Sequence, residues 1–284
     1  MTTSPALDTR SFHARGFALL KGVFSPDEIA DLRRAALAAA GVPADRTVRG
    51  GPRLLLERDL LSVPELRHLV LDPRIVSLAR QAVGGTPAYF GMTKLMVQWK
   101  RDWTPFHRDN IDAMLGDPDG PDWSSDYSLV RIGLYLQDHS RHGGGLWIRE
   151  ASHLGPRAGG RPYPLANELG DVGVWSLRAT HGVRPWPADP LGIAPRLPDL
   201  PAAILHRALR PLTPPAYKYW PRPRIFIHLV FGRDDAHLAH FMRHIPRLDQ
   251  LAWVHTQWRN ANHDGQILRL AAERGIRVVM PAAR

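Results

Sequence analysis

The chain has no cysteine among its 284 residues. Disulfide frameworks and thiolate metal sites are therefore excluded, and any metal the protein holds must rely on histidine and carboxylate donors. Long apolar runs are missing too, since no stretch approaches the roughly 18 residues that a membrane span requires. The first residues, Met1 to Gly16, lack a basic start followed by an apolar segment, so no targeting signal is read and a cytoplasmic location is expected. Blocks of like charge are also absent. The formal charge of +10 comes from 37 Lys and Arg against 27 Asp and Glu, and most of the basic residues are arginines scattered along the chain. A scattered excess argues against nucleic acid as a partner and favours a small, acidic molecule over a neutral one.

What the chain has in plenty is turn chemistry, with 24 Gly and 26 Pro. That composition suits many short elements in a β-rich body. Gly16 to Phe24 reads as a short strand. Ser25-Pro26-Asp27-Glu28 then carries a capping serine, a proline at the first helical position and a glutamate at the third, which predicts a helix from Pro26 to about Ala40. A second helical region from Ser62 to Val83 is interrupted at Asp72-Pro73. From Ala88 the pattern changes to apolar, β-branched segments: Tyr89 to Lys100, Ser128 to Gln137, Leu146 to Glu150, Gly173 to Leu177 and Ile225 to Phe231. Strands so spaced predict a sandwich or jelly roll. Helical patterns return at Asp235 to His244 and Gln266 to Arg274. The reading is one domain over 1–284, with a helical region at about 25–85, a jelly-roll core at about 86–232 and a helical region at about 233–284.

Pro185 to Pro223 is proline-rich and is expected to be a long surface loop with a short helix near Ala202 to Leu209. Together with Ile111 to Asp126 it is a candidate lid. The C-terminal part has two open uses, packing against the barrel or a homodimer contact, with Trp253, His255 and Trp258 as candidate interface residues.

His107 and Asp109 stand two residues apart. In a strand such residues share a face, about 6.6 Å apart along the chain, so one ion can accept both. His181 ends a later strand, Gly170 to His181. Two histidines and one carboxylate make a facial triad suited to Fe(II), with three coordination positions left open. A lone His-x-Asp is also what a solvated loop pair looks like among 14 histidines. The block between the donors adds weight: Leu134-Tyr135-Leu136-Gln137-Asp138, then Gly143-Gly144-Gly145-Leu146-Trp147 and Ala151-Ser152-His153.

In these segments, in the opening Gly16 to Ser25, and in the Gly170-Asp171 strand that leads to His181, the chain resembles the phytanoyl-CoA dioxygenase family of Fe(II)/2-oxoglutarate oxygenases over roughly 15–231. The resemblance implies a mainly β, cupin-like double-stranded β-helix (jelly roll) with flanking helices. It also implies Fe(II), 2-oxoglutarate and O2 at one mouth, the metal being held by His107, Asp109 and His181. An arginine on a strand after the last histidine would grip the far carboxylate of 2-oxoglutarate, with Arg224 as first choice and Arg222 as second. Gln98 matches a position that hydrogen-bonds the co-substrate, and Thr180 and Trp175 could line its pocket. The retained Asp109 favours hydroxylation over halogenation. One departure is Arg149-Glu150-Ala151, where a Pro-Gly pair commonly precedes Ser-His. His139, His142, His153 and His228 are expected to be structural or exposed. Three other readings stay open: a jelly-roll metal isomerase or hydrolase, a β-sandwich binding module, and a nucleic-acid demethylase of related fold.

Overall fold

The structure is a computed structural model that describes residues 4–42, 53–56, 58–100, 104–139, 145–157, 159–183 and 219–279. The helix Pro26–Ala39 begins as its sequence dictates: Ser25 accepts from the Glu28 amide and Glu28 returns the bond to the Ser25 amide, closing a capping box. Ile29, Leu32, Ala36 and Leu37 form its buried face. Asp72 caps the helix Pro73–Val83, which places Ile75, Leu78 and Ala79 in the same core.

The strands form a major and a minor sheet that face each other without closing into a barrel. The described strands are β1 (Phe17–Leu20), β2 (Arg53–Leu55), β3 (Ala88–Tyr89), β4 (Lys94–Lys100), β5 (Thr104–His107), β6 (Val130–Tyr135), β7 (Leu146–Arg149), β8 (Pro162–Pro164), β9 (Val172–Ser176), β10 (His181–Val183), β11 (Tyr219–Gly232) and β12 (Arg277–Val278). The major sheet runs β1-β9-β6-β11-β3-β12, with β4 paired to β11 and β2 paired to β4. The minor sheet runs β5-β10-β7-β8.

Alternation along β11 assigns the two faces of the major sheet. Ile225, Ile227, Leu229 and Phe231 pack outward onto the two helices, whereas Phe226 joins Met96, Tyr135 and Trp175 against Leu146 and Ile148 of the minor sheet. A sheet covered on both faces explains why β6 and β9 read as nearly continuous apolar runs. The mainly β, cupin-like jelly roll with flanking helices is thus present.

Local details depart from the sequence reading. The strand expected over Tyr89 to Lys100 is two strands, because Gly91 takes a φ of +70° and turns the chain between them. The last strand starts at Tyr219, so Tyr219 to Pro223 are strand rather than loop, and its register slips between Tyr219 and Arg224. The rest of the proline-rich segment, with the helix expected at 202–209, lies outside the described residues, as does His142. The segment after Asp109, read as a loop, forms the helix Ile111–Leu115 and a tight turn at Pro121–Trp123, and Arg178 donates to the carbonyls of Asp122 and Ser124.

At the C-terminal end, the helices Ala236–His244 and Ala252–Arg259 pack Leu238, Phe241 and Val254 against Phe90, Met92 and Val230. Trp258 is buried there and donates its indole N–H to the Phe90 carbonyl at 2.7 Å. Of the candidate interface residues, Trp258 thus spends its apolar surface inside the chain.

Candidate metal centre

Strand pairing builds the site. β10 runs antiparallel to β5 with His181 directly opposite His107, and the two rings lie 4.4 Å apart between centroids. β5 ends at His107, so Asp109 is not placed by the strand itself; its amide donates to the Leu177 carbonyl at 2.9 Å, which fixes it beside β9. The outcome is one cluster. A ring nitrogen of each histidine and a carboxylate oxygen of Asp109 all lie within 4.8 Å of one another. His181 Nε2 is 3.1 Å from Asp109 Oδ2 and His107 Nε2 is 3.7 Å from Oδ1.

The surroundings leave the correct atoms free. His107 Nδ1 is 2.8 Å from the Pro105 carbonyl and His181 Nδ1 is 2.9 Å from the Ala179 carbonyl. Since a carbonyl can only accept, each Nδ1 carries a proton, and each Nε2 is the ring nitrogen turned toward Asp109. Arg131 donates to Asp109 Oδ2 at 2.6 Å. Desolvation pushes the Asp109 carboxyl up, but Arg131, His181 and His107 together outweigh it and hold it well below the usual carboxylate range. The His107 side chain is 41% exposed, so it lies at the edge of the cluster. Desolvation there, with the neighbouring His181, pushes its pKa down to about 4. Two imidazole Nε2 atoms and an ionised carboxylate at these spacings fit a divalent iron.

Arg131 was not singled out from the sequence. Its signal is visible in hindsight as one charged residue in an otherwise apolar strand, Val130 to Tyr135, buried on every residue.

The other candidates fall into two groups. Arg224 is buried, faces Gln98 across the β11–β4 register, and its Nη1 lies 3.4 Å from Gln98 Oε1. The guanidinium sits over the rings of Tyr135 (5.5 Å) and Phe226 (4.7 Å). A run of ring contacts joins it to the triad: Tyr135 to His228 at 5.9 Å, His228 to Trp175 at 5.2 Å, and Trp175 to His181 at 5.9 Å. Arg224 and Gln98 therefore share the interior with the His107, Asp109 and His181 cluster, whereas Arg222 is exposed. Thr180 is engaged elsewhere. Its hydroxyl accepts from Arg108 Nε at 3.0 Å and its amide donates to Ser152 Oγ at 2.9 Å, so it braces the Ser152-His153 corner. That corner forms despite the missing Pro-Gly pair, with Ala151 in the left-handed region at φ 57°. His153 is structural, with Nε2 bonded to the His13 carbonyl.

The phytanoyl-CoA dioxygenase family model matches residues 12–189, more than half of the chain. The chain belongs to the phytanoyl-CoA dioxygenase family. It is accordingly a 2-oxoglutarate-dependent non-haem iron oxygenase, with iron and 2-oxoglutarate as its cofactors.

No curated protein matches this family member in sequence. Solved structures match its fold. SnoN, a non-haem α-ketoglutarate-dependent epimerase from nogalamycin biosynthesis, is 18% identical with a TM-score of 0.52, covering 78% of this chain and 80% of its own. HygX from Streptomyces hygroscopicus, with nickel and 2-oxoglutarate bound, is 16% identical with a TM-score of 0.54, covering 81% and 88%. EctD from S. alaskensis, with 2-oxoglutarate and 5-hydroxyectoine, is 17% identical with a TM-score of 0.50, covering 79% and 74%. At such identities the likeness concerns the fold.

Proposed function

We propose that this oxygenase hydroxylates a small molecule, an acidic one being favoured, with His107, Asp109 and His181 as the metal ligands. The observation that carries the reading is the cross-strand pairing of His107 with His181, which brings both Nε2 atoms onto the Asp109 carboxylate. Iron(II) with 2-oxoglutarate and O2 supplies the oxidising power, and succinate and CO2 leave. The residues of this chain bind, orient and shield. Arg131 keeps Asp109 ionised and fixes its second oxygen. Arg224, with Gln98 beside it, offers a buried guanidinium fork to the far carboxylate of 2-oxoglutarate. Tyr135, Phe226 and Trp175 exclude water from the space between. The open edge of His107 marks the mouth by which substrate reaches the metal. The arginine excess supports an acidic substrate.

Anaerobic titration of the metal-free protein with Fe(II) and then 2-oxoglutarate tests the ligand assignment. The weak visible charge-transfer band of the chelated pair is expected in the wild type and absent in His107→Ala. A folded protein that retains iron yet shows no band would sink the assignment. Among acidic small molecules that stimulate succinate release, products should gain one oxygen atom; products of unchanged mass, or lacking two hydrogens, would replace hydroxylation by another outcome.

A further inference from the structure

A second cluster of metal-competent donors lies in the segment that follows the ligand pair. Asp112 on the helix Ile111–Leu115, Asp122 in the turn Pro121–Trp123 and His240 on the helix Ala236–His244 each present a donor atom, all within 4.8 Å of one another. Asp112 and Asp122 are 1% and 0% exposed, so this is not a solvated acidic surface. The segment 111–126 holds five aspartates and no lysine or arginine, in a chain of net charge +10.

The local bonds leave oxygens over. Asp112 Oδ1 is 2.8 Å from His240 Nε2 and Asp112 Oδ2 accepts from the Asp122 amide at 2.6 Å. Asp122 Oδ2 accepts from the Asp112 amide at 3.1 Å and from Asn110 Nδ2 at 3.2 Å. Asp122 Oδ1 has no hydrogen-bond partner among the described residues. The same holds for Oδ1 of Asn110, a fully buried side chain whose carboxamide is seated against the Asp122 carboxylate. A half-turn of that amide exchanges its nitrogen and oxygen at the Asp122 edge, which would add a carbonyl donor to the group. Arg178, a cation that contacts this segment, spends its Nη1 on the backbone carbonyls of Asp122 and Ser124.

We infer that Asp112, Asp122 and His240 hold a second divalent metal ion, distinct from the iron of the oxygenase centre. Charge favours it: two buried carboxylates are balanced by a divalent cation, and buried carboxylates persist only when paired, protonated or ligated. Distance favours it as well. Donors about 2.1 Å from an ion and at right angles to each other are about 3 Å apart, close to the His240–Asp112 separation. Two oxygens and one nitrogen suit an ion such as Mn(II) or Zn(II) better than Ca(II) or Mg(II), which prefer all-oxygen sites. Its role is structural: it ties the segment next to Asp109 and Asn110 to the helix Ala236–His244.

Mn(II) alone, titrated into the chelator-treated full chain with free ion followed by electron paramagnetic resonance, tests this. Two equivalents per chain are expected in the wild type, one in His107→Ala, one in Asp122→Asn and none in the combined variant. His240→Gln should repeat the loss of one equivalent, and circular dichroism checks that each variant is folded. Should the oxygenase triad not bind metal, the wild type would still bind one equivalent, untouched by His107→Ala and lost in Asp122→Asn. Binding that His107→Ala abolishes entirely, or that Asp122→Asn and His240→Gln leave at the wild-type level, would overturn the second site. It would leave a proton shared between the two carboxylates, with Asp112 paired to His240.

Discussion

Arg131 reaches Asp109 from β6, Nη1 to Oδ2 at 2.6 Å, and both groups are buried. The pair joins the candidate metal centre to the middle of the major sheet, so one contact serves both the charge of Asp109 and the packing of β6.

Removing that guanidinium should therefore cost twice. Arg131→Gln leaves a buried carboxylate without its main counter-charge, and a broken buried pair destabilises by about 3–5 kcal/mol. Loss of a group that orients a metal ligand lowers metal affinity by roughly 10- to 100-fold. Urea unfolding and Fe(II) titration of the same variant measure the two losses; an unchanged iron affinity would show that Asp109 needs no such partner.

Arg224 and Arg222 should separate cleanly. Arg224→Leu is expected to weaken 2-oxoglutarate binding on the order of 10- to 100-fold, the worth of a charge-assisted bond, while Fe(II) affinity stays the same. Arg222→Leu should leave both unchanged because that residue is exposed. The reverse pattern in the anaerobic titration would transfer the role to Arg222.

Acid should destabilise the metal-free protein in a definite window. Burial, followed by the nearby charges of Arg131 and Lys94, holds the His228 imidazole well below the ordinary histidine pKa of about 6.5. The unfolded chain then takes up a proton that the native state refuses, so stability is full above that value and falls as pH drops through about 6.5 and below. His107, pushed down to about 4, adds a loss of the same sign between about 6.5 and 4. Denaturation midpoints at pH 7.5 and 5.5 should differ less in His228→Leu than in the wild type. An equal difference would mean that other groups set the acid response.

Ala151 offers a gain. It is the non-glycine residue at positive φ among the described residues, and its amide donates to the Arg15 carbonyl at 2.9 Å. A left-handed conformation costs an alanine roughly 1 kcal/mol. Ala151→Gly should raise the melting temperature by about 1–2 °C without altering metal binding. A lowered melting temperature would show that chain entropy outweighs the relieved strain.

The sequence alone determined what short-range chemistry controls. The capping box at Ser25 and Glu28, the restart at Asp72-Pro73, the types of metal donor and the buried β-rich core could be read because each depends on residues a few positions apart or on one strand's alternation. The absence of cysteine had already restricted the donors to imidazole and carboxylate. The tertiary structure decided everything that depends on register between distant strands: His107 opposite His181, Arg131 on Asp109, Arg224 rather than Arg222 facing inward beside Gln98, and Thr180 turned to Arg108. It also took Trp258 into the interior and drew His240 to Asp112 across 128 positions of chain. Such partners leave no local pattern, because what selects them is the pairing of strands and the packing of helices, and these bring together side chains whose neighbours in sequence say nothing of each other.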